Sequence, residues 1–440
     1  MSASFHSGAA ALDARPRSGG CADPAAGLDT RSAMLAGTVT RAWRVFAVFA
    51  AAHFLSYFFR SANAVIADDL TAGMGLSPAQ LGLMSSLFFG FFALAQLPFG
   101  SALDRYGARV TTSALMLTGV VGALVFAAAP NVVWLGVGRA LLGLGTAGIL
   151  MGGLKALSQI HPPHRFAAVS GMLTATGSSG ALVATAPLAL LNRAVGWRAI
   201  FAGGAVVLLL SAVAVAIVVR TPRTEPHPQA SPGGFGDIFG SAAFWRLAFL
   251  GFAVMGTTFA YQSLWAGPYL TEAAGLGAVV AGNVLLWLGI GLVLGFFVSG
   301  WLAQRFGPAR VVATATLLMV LVQAALALVA GRLTAPAALG ALLFLLAGSG
   351  SFALLLYAQA NVLFPAQLTG RAVTAINLFM FLGGFVLQWG IGIVVNALAP
   401  AGGSASAGAY AAALALSATL CAAALLVYLP TLRRPVRAPV

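Results

Sequence analysis

Charged side chains are scarce in this chain. Asp, Glu, Lys and Arg together make up 7% of its 440 residues, whereas 60% of the residues are hydrophobic. Ordinary soluble domains carry about 25% charged residues, so the composition excludes a water-soluble protein of this length. Apolar runs of roughly 20 residues recur along the chain, and each is long enough to cross a bilayer as a helix. Because backbone groups in hydrocarbon need partners within their own segment, we predict an all-α, polytopic membrane protein.

Acidic residues are the scarcest of the charged residues, and none of the nine lies in the middle of an apolar run. A proton-coupled carrier usually binds its proton at a buried carboxylate or histidine, and this chain offers no mid-membrane carboxylate. His53 is the obvious mid-run side chain that titrates near physiological pH, so it is the candidate proton-coupling residue. The alternative is a histidine that only packs, in a carrier that moves no proton.

Cysteine and the sequence motifs of enzymes are nearly absent. Cys21 lies in the polar N-terminal stretch and Cys421 in the last apolar run, so neither a disulfide framework nor a metal cluster is expected. HExxH, GxSxG, P-loop and CxxC patterns do not occur. We therefore expect no enzymatic activity, no metal and no other cofactor.

The apolar runs fall into two groups of six. The N-terminal stretch lacks the apolar core of a signal peptide and is predicted to be mostly disordered, while a stretch rich in Pro, Gly and Ser separates the groups as a flexible loop. The predicted parts are an N-terminal tail (1–43), a first half (44–219), a central loop (220–243), a second half (244–429) and a C-terminal tail (430–440). The twelve predicted spans are 44–66, 79–100, 110–129, 133–154, 167–191, 198–219, 244–266, 279–303, 311–331, 337–361, 372–396 and 407–429.

Basic residues are distributed unevenly between the two ends of these spans. Of the 23 basic residues, Arg193, Arg198 and Arg332 fall on one side, Arg60 and Arg139 fall inside spans, and the other 18 fall on the side of both termini. Cytoplasmic loops carry the excess of Lys and Arg, so we predict that both termini are cytoplasmic. The net charge of +14 then has its cause in membrane topology, and no nucleic-acid partner is expected.

A repeated motif follows the second span of each half. GSALDRYGARV occupies Gly100–Val110 and GWLAQRFGPARV occupies Gly300–Val311. The first copy resembles motif A of the major facilitator superfamily, G-x-x-x-D-R-x-G-x-[RK], and GRALLGLGTAG at Gly138–Gly148 resembles its motif B, with Arg139 as the arginine. The resemblance covers residues 44–430. The fifth span lacks the GPxxGG ending of the antiporter motif C.

The resemblance implies a fold of twelve helices in two pseudo-symmetric halves that rock around a central substrate site. It also implies a gate, in which Asp104 interacts with the start of the eleventh span at Arg371. Membership further implies a bacterial inner-membrane protein that works as a monomer in the lipid bilayer. The gating residues carried over from the motif are Gly100, Asp104, Arg105, Gly107, Arg109, Arg305, Gly307 and Arg371.

The first span, HFLSYFFRSANAVIADDL, contains an arginine that a lipid-facing helix would not favour. On a helical wheel His53, Tyr57 and Arg60 share one narrow face, with Asn63 at its edge. The opposite face carries apolar side chains. An arginine at mid-span costs roughly 2.5–3.5 kcal/mol on insertion scales, so a stripe facing a wet cavity is expected to meet an anion. The alternative is that Arg60 snorkels to the interface.

Further polar and aromatic side chains lie in spans that the superfamily places around its cavity. They suit an organic solute with an apolar or ring portion, although interhelical hydrogen bonding explains each one equally well. The pattern around Arg60 also resembles the organophosphate and anion:cation symporter branches, but their second arginine, on span seven, is missing here. One guanidinium suits a singly charged group. The candidate substrate-binding residues are Arg60, His53, Tyr57, Asn63, Arg139, Tyr261, Gln262, Trp265, Asn283, Tyr357 and Asn377.

These observations lead to one main functional hypothesis and two alternatives. The main hypothesis is a secondary carrier of a small organic anion, with proton coupling left open. The first alternative is an exporter of drugs or amphipathic metabolites. The second is a non-transporting sensor built on a carrier fold.

Overall fold

The computed structural model describes residues 24–219, 235–399 and 405–433. The chain forms two compact units, Met1–Trp43 and Arg44–Val440. Within the described ranges every regular element is a helix, which confirms the all-α prediction. The helices are α1 (Pro24–Ser61), α2 (Asn63–Met74), α3 (Pro78–Ala128), α4 (Val132–Thr146), α5 (Ile149–Ser158), α6 (Pro163–Val183), α7 (Ala186–Val218), α8 (Phe235–Phe239), α9 (Ala242–Ala260), α10 (Ala266–Pro268), α11 (Ala278–Phe306), α12 (Pro308–Leu328), α13 (Pro336–Ser351), α14 (Leu355–Leu363), α15 (Ala366–Ala397) and α16 (Ala407–Tyr428). Two π-helical turns, Tyr261–Trp265 and Tyr269–Ala273, and two 3-10 turns, Phe352–Leu354 and Leu429–Arg433, complete the described elements.

Parts of the predicted tails and loop are helical. The N-terminal tail was expected to lack structure, but its described part, from Pro24 onward, already belongs to α1. The predicted central loop contains α8 and the start of α9, and its remainder, 220–234, lies outside the described residues, as do 1–23 and 434–440. Ala, Leu and Arg are good helix formers, which accounts for the earlier start of α1.

Eleven helices in the described chain are long and apolar enough to cross a membrane. The predicted fifth span, 167–191, corresponds to α6 and the first residues of α7. Its sequence, PHRFAAVSGMLTATGSSGALV, is rich in Ser, Thr and Gly. Such a helix is less hydrophobic than its neighbours, and small polar residues are typical of helices that pack closely against other helices in a membrane.

Glycines with positive φ separate consecutive spans in the repeated motif. Gly107, with φ of 76°, lies between spans two and three, and Gly307, with φ of 85°, lies between spans eight and nine. Only glycine adopts this conformation without strain, which explains its presence in both copies of the motif. At Gly100 a Cβ atom would meet nothing within 4 Å, so no close packing requires that glycine in this conformation.

Close helix contacts within each half depend on glycine pairs. A Cβ atom on Gly145 would stand 2.1 Å from the backbone nitrogen of Gly119, and one on Gly256 would stand 2.6 Å from the carbonyl carbon of Gly383. The backbones therefore touch in the first half and in the second half. Small residues at helix crossings supply the packing that stabilises membrane helices in place of a hydrophobic driving force.

Four spans contain interruptions, at matching places in the two halves. Span one breaks at Ala62, and span four breaks between Thr146 and Ile149. Span seven contains the π turn Tyr261–Trp265, and span ten contains the 3-10 turn Phe352–Leu354. Interrupted membrane helices occur where protein or a water-filled cavity satisfies the freed backbone groups, so the four interruptions point to the centre of the bundle.

The two halves touch at the end of the bundle that carries Asp68, which we call the Asp68 end. Thr271 Oγ1 donates a hydrogen bond to Asp68 at 3.2 Å across the halves. A Cβ atom on Gly267 would stand 1.7 Å from the carbonyl oxygen of Ala64. At the opposite, motif-A end, the side chain of Asp104 is 80% exposed. The structure is therefore closed at the Asp68 end.

Candidate functional site

Arg60 is the second-last residue of α1, two residues before the interruption of span one at Ala62. Its guanidinium carbon is 4.4 Å from the centre of the Tyr57 ring, 5.5 Å from Phe92, 5.3 Å from Phe259 and 5.4 Å from Phe381. These distances are within the range of cation–π attraction. We call these four rings the aromatic cage.

The aromatic cage is built from both halves of the protein. Tyr57 and Phe92 belong to α1 and α3, whereas Phe259 and Phe381 belong to α9 and α15. The rings of Phe92 and Phe381 stack with their centres 4.0 Å apart and their planes at 11°, and those of Phe259 and Phe381 are 5.0 Å apart. Any movement of one half against the other therefore changes the surroundings of Arg60.

No protein carboxylate neutralises Arg60 in the described chain. The side chain is only 4% exposed, and its Nε has no hydrogen-bond partner. The ion pair found among the described residues joins Lys155 to Asp104, at the motif-A end. A buried charge without a counter-charge is costly, so this site favours a negatively charged group that brings hydrogen-bond acceptors.

His53 lies two turns before Arg60 on α1 and contacts Tyr57. The two ring centres are 5.1 Å apart in an edge-to-face arrangement. His53 is 4% exposed, and neither ring nitrogen has a hydrogen-bond partner. Gly177 of α6 leaves the space for this ring, because a Cβ atom there would stand 1.8 Å from His53 Cδ2. The predicted stripe is thus a continuous row of contacts from His53 through Tyr57 to Arg60.

Tyr357 and Asn377 form a polar pair in the second half. The Tyr357 hydroxyl donates to Asn377 Oδ1 at 2.6 Å, and Met380 Sδ is 3.2 Å away. Both side chains are half-buried. Asn377 lies one helical turn before Phe381 of the aromatic cage, so the pair lies next to the cage.

Asn63 and Arg139 point into the first half. The amide of Asn63 donates to Ser85 Oγ at 2.7 Å. Arg139 is fully buried, donates to the carbonyl oxygen of Phe59 at 2.6 Å, and lies 4.9 Å from the Phe88 ring centre. Arg139 therefore fixes the position of the backbone immediately before Arg60 through this hydrogen bond.

The other predicted residues of the second half contact groups outside the aromatic cage. The hydroxyl of Tyr261 is 3.5 Å from Ser417 Oγ, and Trp265 Nε1 donates to the carbonyl oxygen of Gln388 at 2.8 Å. Asn283 is exposed, and Gln262 lines a small cavity between the halves. Sequence reasoning missed Phe92, Phe259 and Phe381, since nothing distinguishes them among 29 phenylalanines.

Comparison with known proteins identifies the family. The family model described as Major Facilitator Superfamily matches residues 49–388. The chain belongs to the major facilitator superfamily. It is 27% identical to the gentisate transporter of Corynebacterium glutamicum over 357 residues, which cover 75% of this chain and 78% of that protein. It is 28% identical to a chloramphenicol resistance protein of Streptomyces lividans over 355 residues, covering 76% and 86% of the two chains.

A solved superfamily structure shares the fold. A bacterial homolog of the human lysosomal transporter Spinster, in an inward-facing and occupied conformation, superposes with a TM-score of 0.72. The alignment covers 90% of this chain and 98% of the other, at 19% sequence identity. This identity is low, so the likeness establishes the fold and carries no information about the solute.

Motif A of the superfamily forms an ion pair within the first half in this conformation. Lys155 Nζ donates to Asp104 at 2.6 Å and to the carbonyl oxygen of Leu103 at 3.1 Å. Arg105 packs on its neighbour Tyr106, with its guanidinium carbon 5.3 Å from the ring centre. In the second copy Arg305 lies 5.8 Å from the Trp301 ring centre, and Arg109 and Arg371 are exposed and half-buried respectively.

Proposed function

We propose that this superfamily transporter carries a small organic anion by alternating access, and that Arg60 binds its negative group. The family accounts for the transport of a small solute across a membrane. The proposal adds the charge of the solute and the place where it binds.

One observation carries this proposal: a buried guanidinium without a carboxylate partner, enclosed by four aromatic rings from both halves. A single guanidinium matches a singly charged, planar group such as a carboxylate. The rings offer flat apolar faces to the rest of the molecule. An aromatic monocarboxylate combines both features, and the similarity to a gentisate transporter supports this choice.

The asymmetry of the basic residues supports an orientation in a bacterial inner membrane with both termini in the cytoplasm. In that orientation the Asp68 end faces the outside. The conformation closed at the Asp68 end is then the inward-facing one. We further propose that a single chain suffices for transport, because Arg60 and its cage lie within one protomer.

Export of an uncharged aromatic compound is the second candidate function. The aromatic cage would accept such a compound through stacking alone, and the similarity to a chloramphenicol resistance protein favours it. The two functions differ in the role of Arg60. An anion needs the guanidinium, whereas a neutral ring needs only the cage.

The test is uptake and efflux by purified protein in proteoliposomes. The solutes are gentisate, benzoate, chloramphenicol and a neutral sugar, and the variants are Arg60→Ala and Arg60→Lys. Loss of one partner of a buried charge pair costs about 2–5 kcal/mol, so carboxylate transport should fall roughly 30-fold or more. Arg60→Lys should also fail, because a point charge does not reproduce the bidentate fork.

Arg332→Lys is the matched control, since Arg332 is exposed and remote from the cage. Carboxylate uptake that stays near wild type in Arg60→Ala would refute the proposed role. Chloramphenicol transport that survives in Arg60→Ala, without carboxylate transport in the wild type, would establish the second function instead.

A further inference from the structure

A small cavity lies between the two halves, close to the Asp68 end. Ser61 and Thr185 line it from the first half, and Gln262 and Gly289 line it from the second half. The space is large enough to admit a water-sized sphere. It can therefore hold a water molecule, because polar groups lie in reach.

Two buried polar groups that line this cavity have no partner in the described chain. Ser61 is 2% exposed, and its hydroxyl makes no hydrogen bond. Gln262 is 5% exposed, and its Nε2 makes none either. A third group, the hydroxyl of Thr185, donates to the carbonyl oxygen of Leu182 and keeps its lone pairs free. Burial of unpartnered polar groups is costly, so a ligand that satisfies them is favoured.

Three irregular segments bring these groups together. Ser61 is the last residue of α1, and Thr185 lies between α6 and α7. Gln262 lies in the π turn Tyr261–Trp265. All three residues therefore lie at or next to a departure from the regular α-helix.

The chemistry of the cavity selects water over an ion. Ser61 follows Arg60 directly, and no carboxylate lines the space, so a metal cation would meet an unfavourable charge. No Lys or Arg side chain lines the space, so it lacks the cationic hydrogen-bond donors that an anion site needs. Water both donates and accepts, so it satisfies the Gln262 amide in either orientation together with the hydroxyls of Ser61 and Thr185.

We propose that one water molecule binds in this cavity, bridges Ser61 of the first half to Gln262 of the second, and stabilises the conformation closed at the Asp68 end. The bridge exists only while the halves touch, because Ser61 and Gln262 separate when that end opens. The proposal is independent of the solute, since it concerns the protein alone.

The experiment measures how often the Asp68 end is open. Spin labels are attached at the exposed positions Ala72 and Ala278, one in each half, in a background without Cys21 and Cys421. Their distance distribution gives the ratio of open to closed protein in nanodiscs without solute. The variants are Ser61→Ala, Gln262→Met and the double variant, with Gln323→Met as a control buried glutamine outside the cavity.

If a water molecule bridges the two halves, each variant should raise the open-to-closed ratio, and the effects of the two variants should not add. Each single variant should raise the open-to-closed ratio about two- to tenfold, the worth of one hydrogen bond. The double variant should add little, because both side chains act through one water molecule. Gln323→Met should leave the ratio unchanged.

Three results would overturn the proposal. A shift of Gln262→Met toward the closed conformation would mean that the amide is buried without a water molecule. Its removal would then stabilise the closed conformation. Shifts that add in the double variant would mean that the two residues act separately. A wild-type ratio that changes when choline replaces sodium would identify the ligand as a cation.

Discussion

At the scale of single residues, the aromatic cage stabilises the charge of Arg60, whereas its Nε has no hydrogen-bond partner. Placing an arginine in the membrane interior costs roughly 2.5–3.5 kcal/mol on insertion scales. Each ring of the aromatic cage returns about 0.5–2 kcal/mol. The two terms are of similar size, so the protein tolerates Arg60 without a bound solute. The unpartnered nitrogen still favours the binding of an anion.

The helical wheel of span one grouped residues that are neighbours in the structure. A period of 3.6 residues places His53, Tyr57 and Arg60 on one face. In the structure His53 contacts Tyr57, and Tyr57 contacts Arg60. Their roles in transport stay predictions. The partners from other helices, such as Phe92 and Phe381, could not be predicted, because the packing of helices decides which of many phenylalanines meet.

We predict that His53 binds the coupled proton if transport depends on a proton gradient. Both ring nitrogens lack partners, and Tyr57 links His53 to Arg60. A bound anion would favour the protonated imidazole, which links solute and proton loading. Uptake by proteoliposomes should rise with an imposed pH gradient, and this stimulation should vanish in His53→Gln while solute exchange persists.

Exchange without a gradient is the internal control for folding of His53→Gln. Stimulation that remains intact in this variant would exclude His53 as the coupling residue. A wild-type protein that ignores the gradient would make His53 a packing residue in a uniporter or exchanger.

At the scale of elements, hydropathy predicted the long apolar helices but not the interruptions within them. The eleven apolar spans match predicted ones, and α6 with the first residues of α7 occupies the predicted fifth span. The break at Ala62 also has no local signal, since neither Pro nor Gly occurs there. Contacts with other helices produce it, and a single sequence does not reveal them.

We predict that the first copy of motif A changes partners during transport. Asp104 pairs with Lys155 in this conformation, and we expect it to face the start of α15, including Arg371, when the motif-A end closes. A helix N-terminus and a guanidinium both favour a carboxylate. Asp104→Asn should therefore weaken closure and raise the labelling of cysteines introduced at the motif-A end.

The variant Lys155→Met distinguishes the effect of Lys155 on Asp104 from that of the expected partner on α15. It removes the ion pair seen here, which is partly exposed and worth about 0–1 kcal/mol, and leaves the expected partner on α15 intact. Labelling at the motif-A end should therefore stay constant or fall in Lys155→Met. Unchanged labelling and transport in Asp104→Asn would show that motif A has no gating role here.

At the scale of the whole molecule, glycines set how closely the halves approach at the Asp68 end. Gly267 of the second half lies against the backbone of Ala64 of the first, and a Cβ atom there would stand 1.7 Å from the Ala64 carbonyl oxygen. No rotation of a side chain relieves a clash with backbone. The halves must therefore separate to accept any larger residue at this position.

We predict that Gly267→Ala shifts the protein toward the conformation open at the Asp68 end. Overpacking costs about 1–3 kcal/mol, which corresponds to a change of about 5- to 150-fold in the open-to-closed ratio. The distance between labels at Ala72 and Ala278 measures this ratio. Gly390→Ala in α15 is the control, because a Cβ atom there meets nothing within 4 Å. A Gly267→Ala variant with the wild-type distribution would mean that the closed conformation does not require this contact, and transport rates would then be set elsewhere in the bundle.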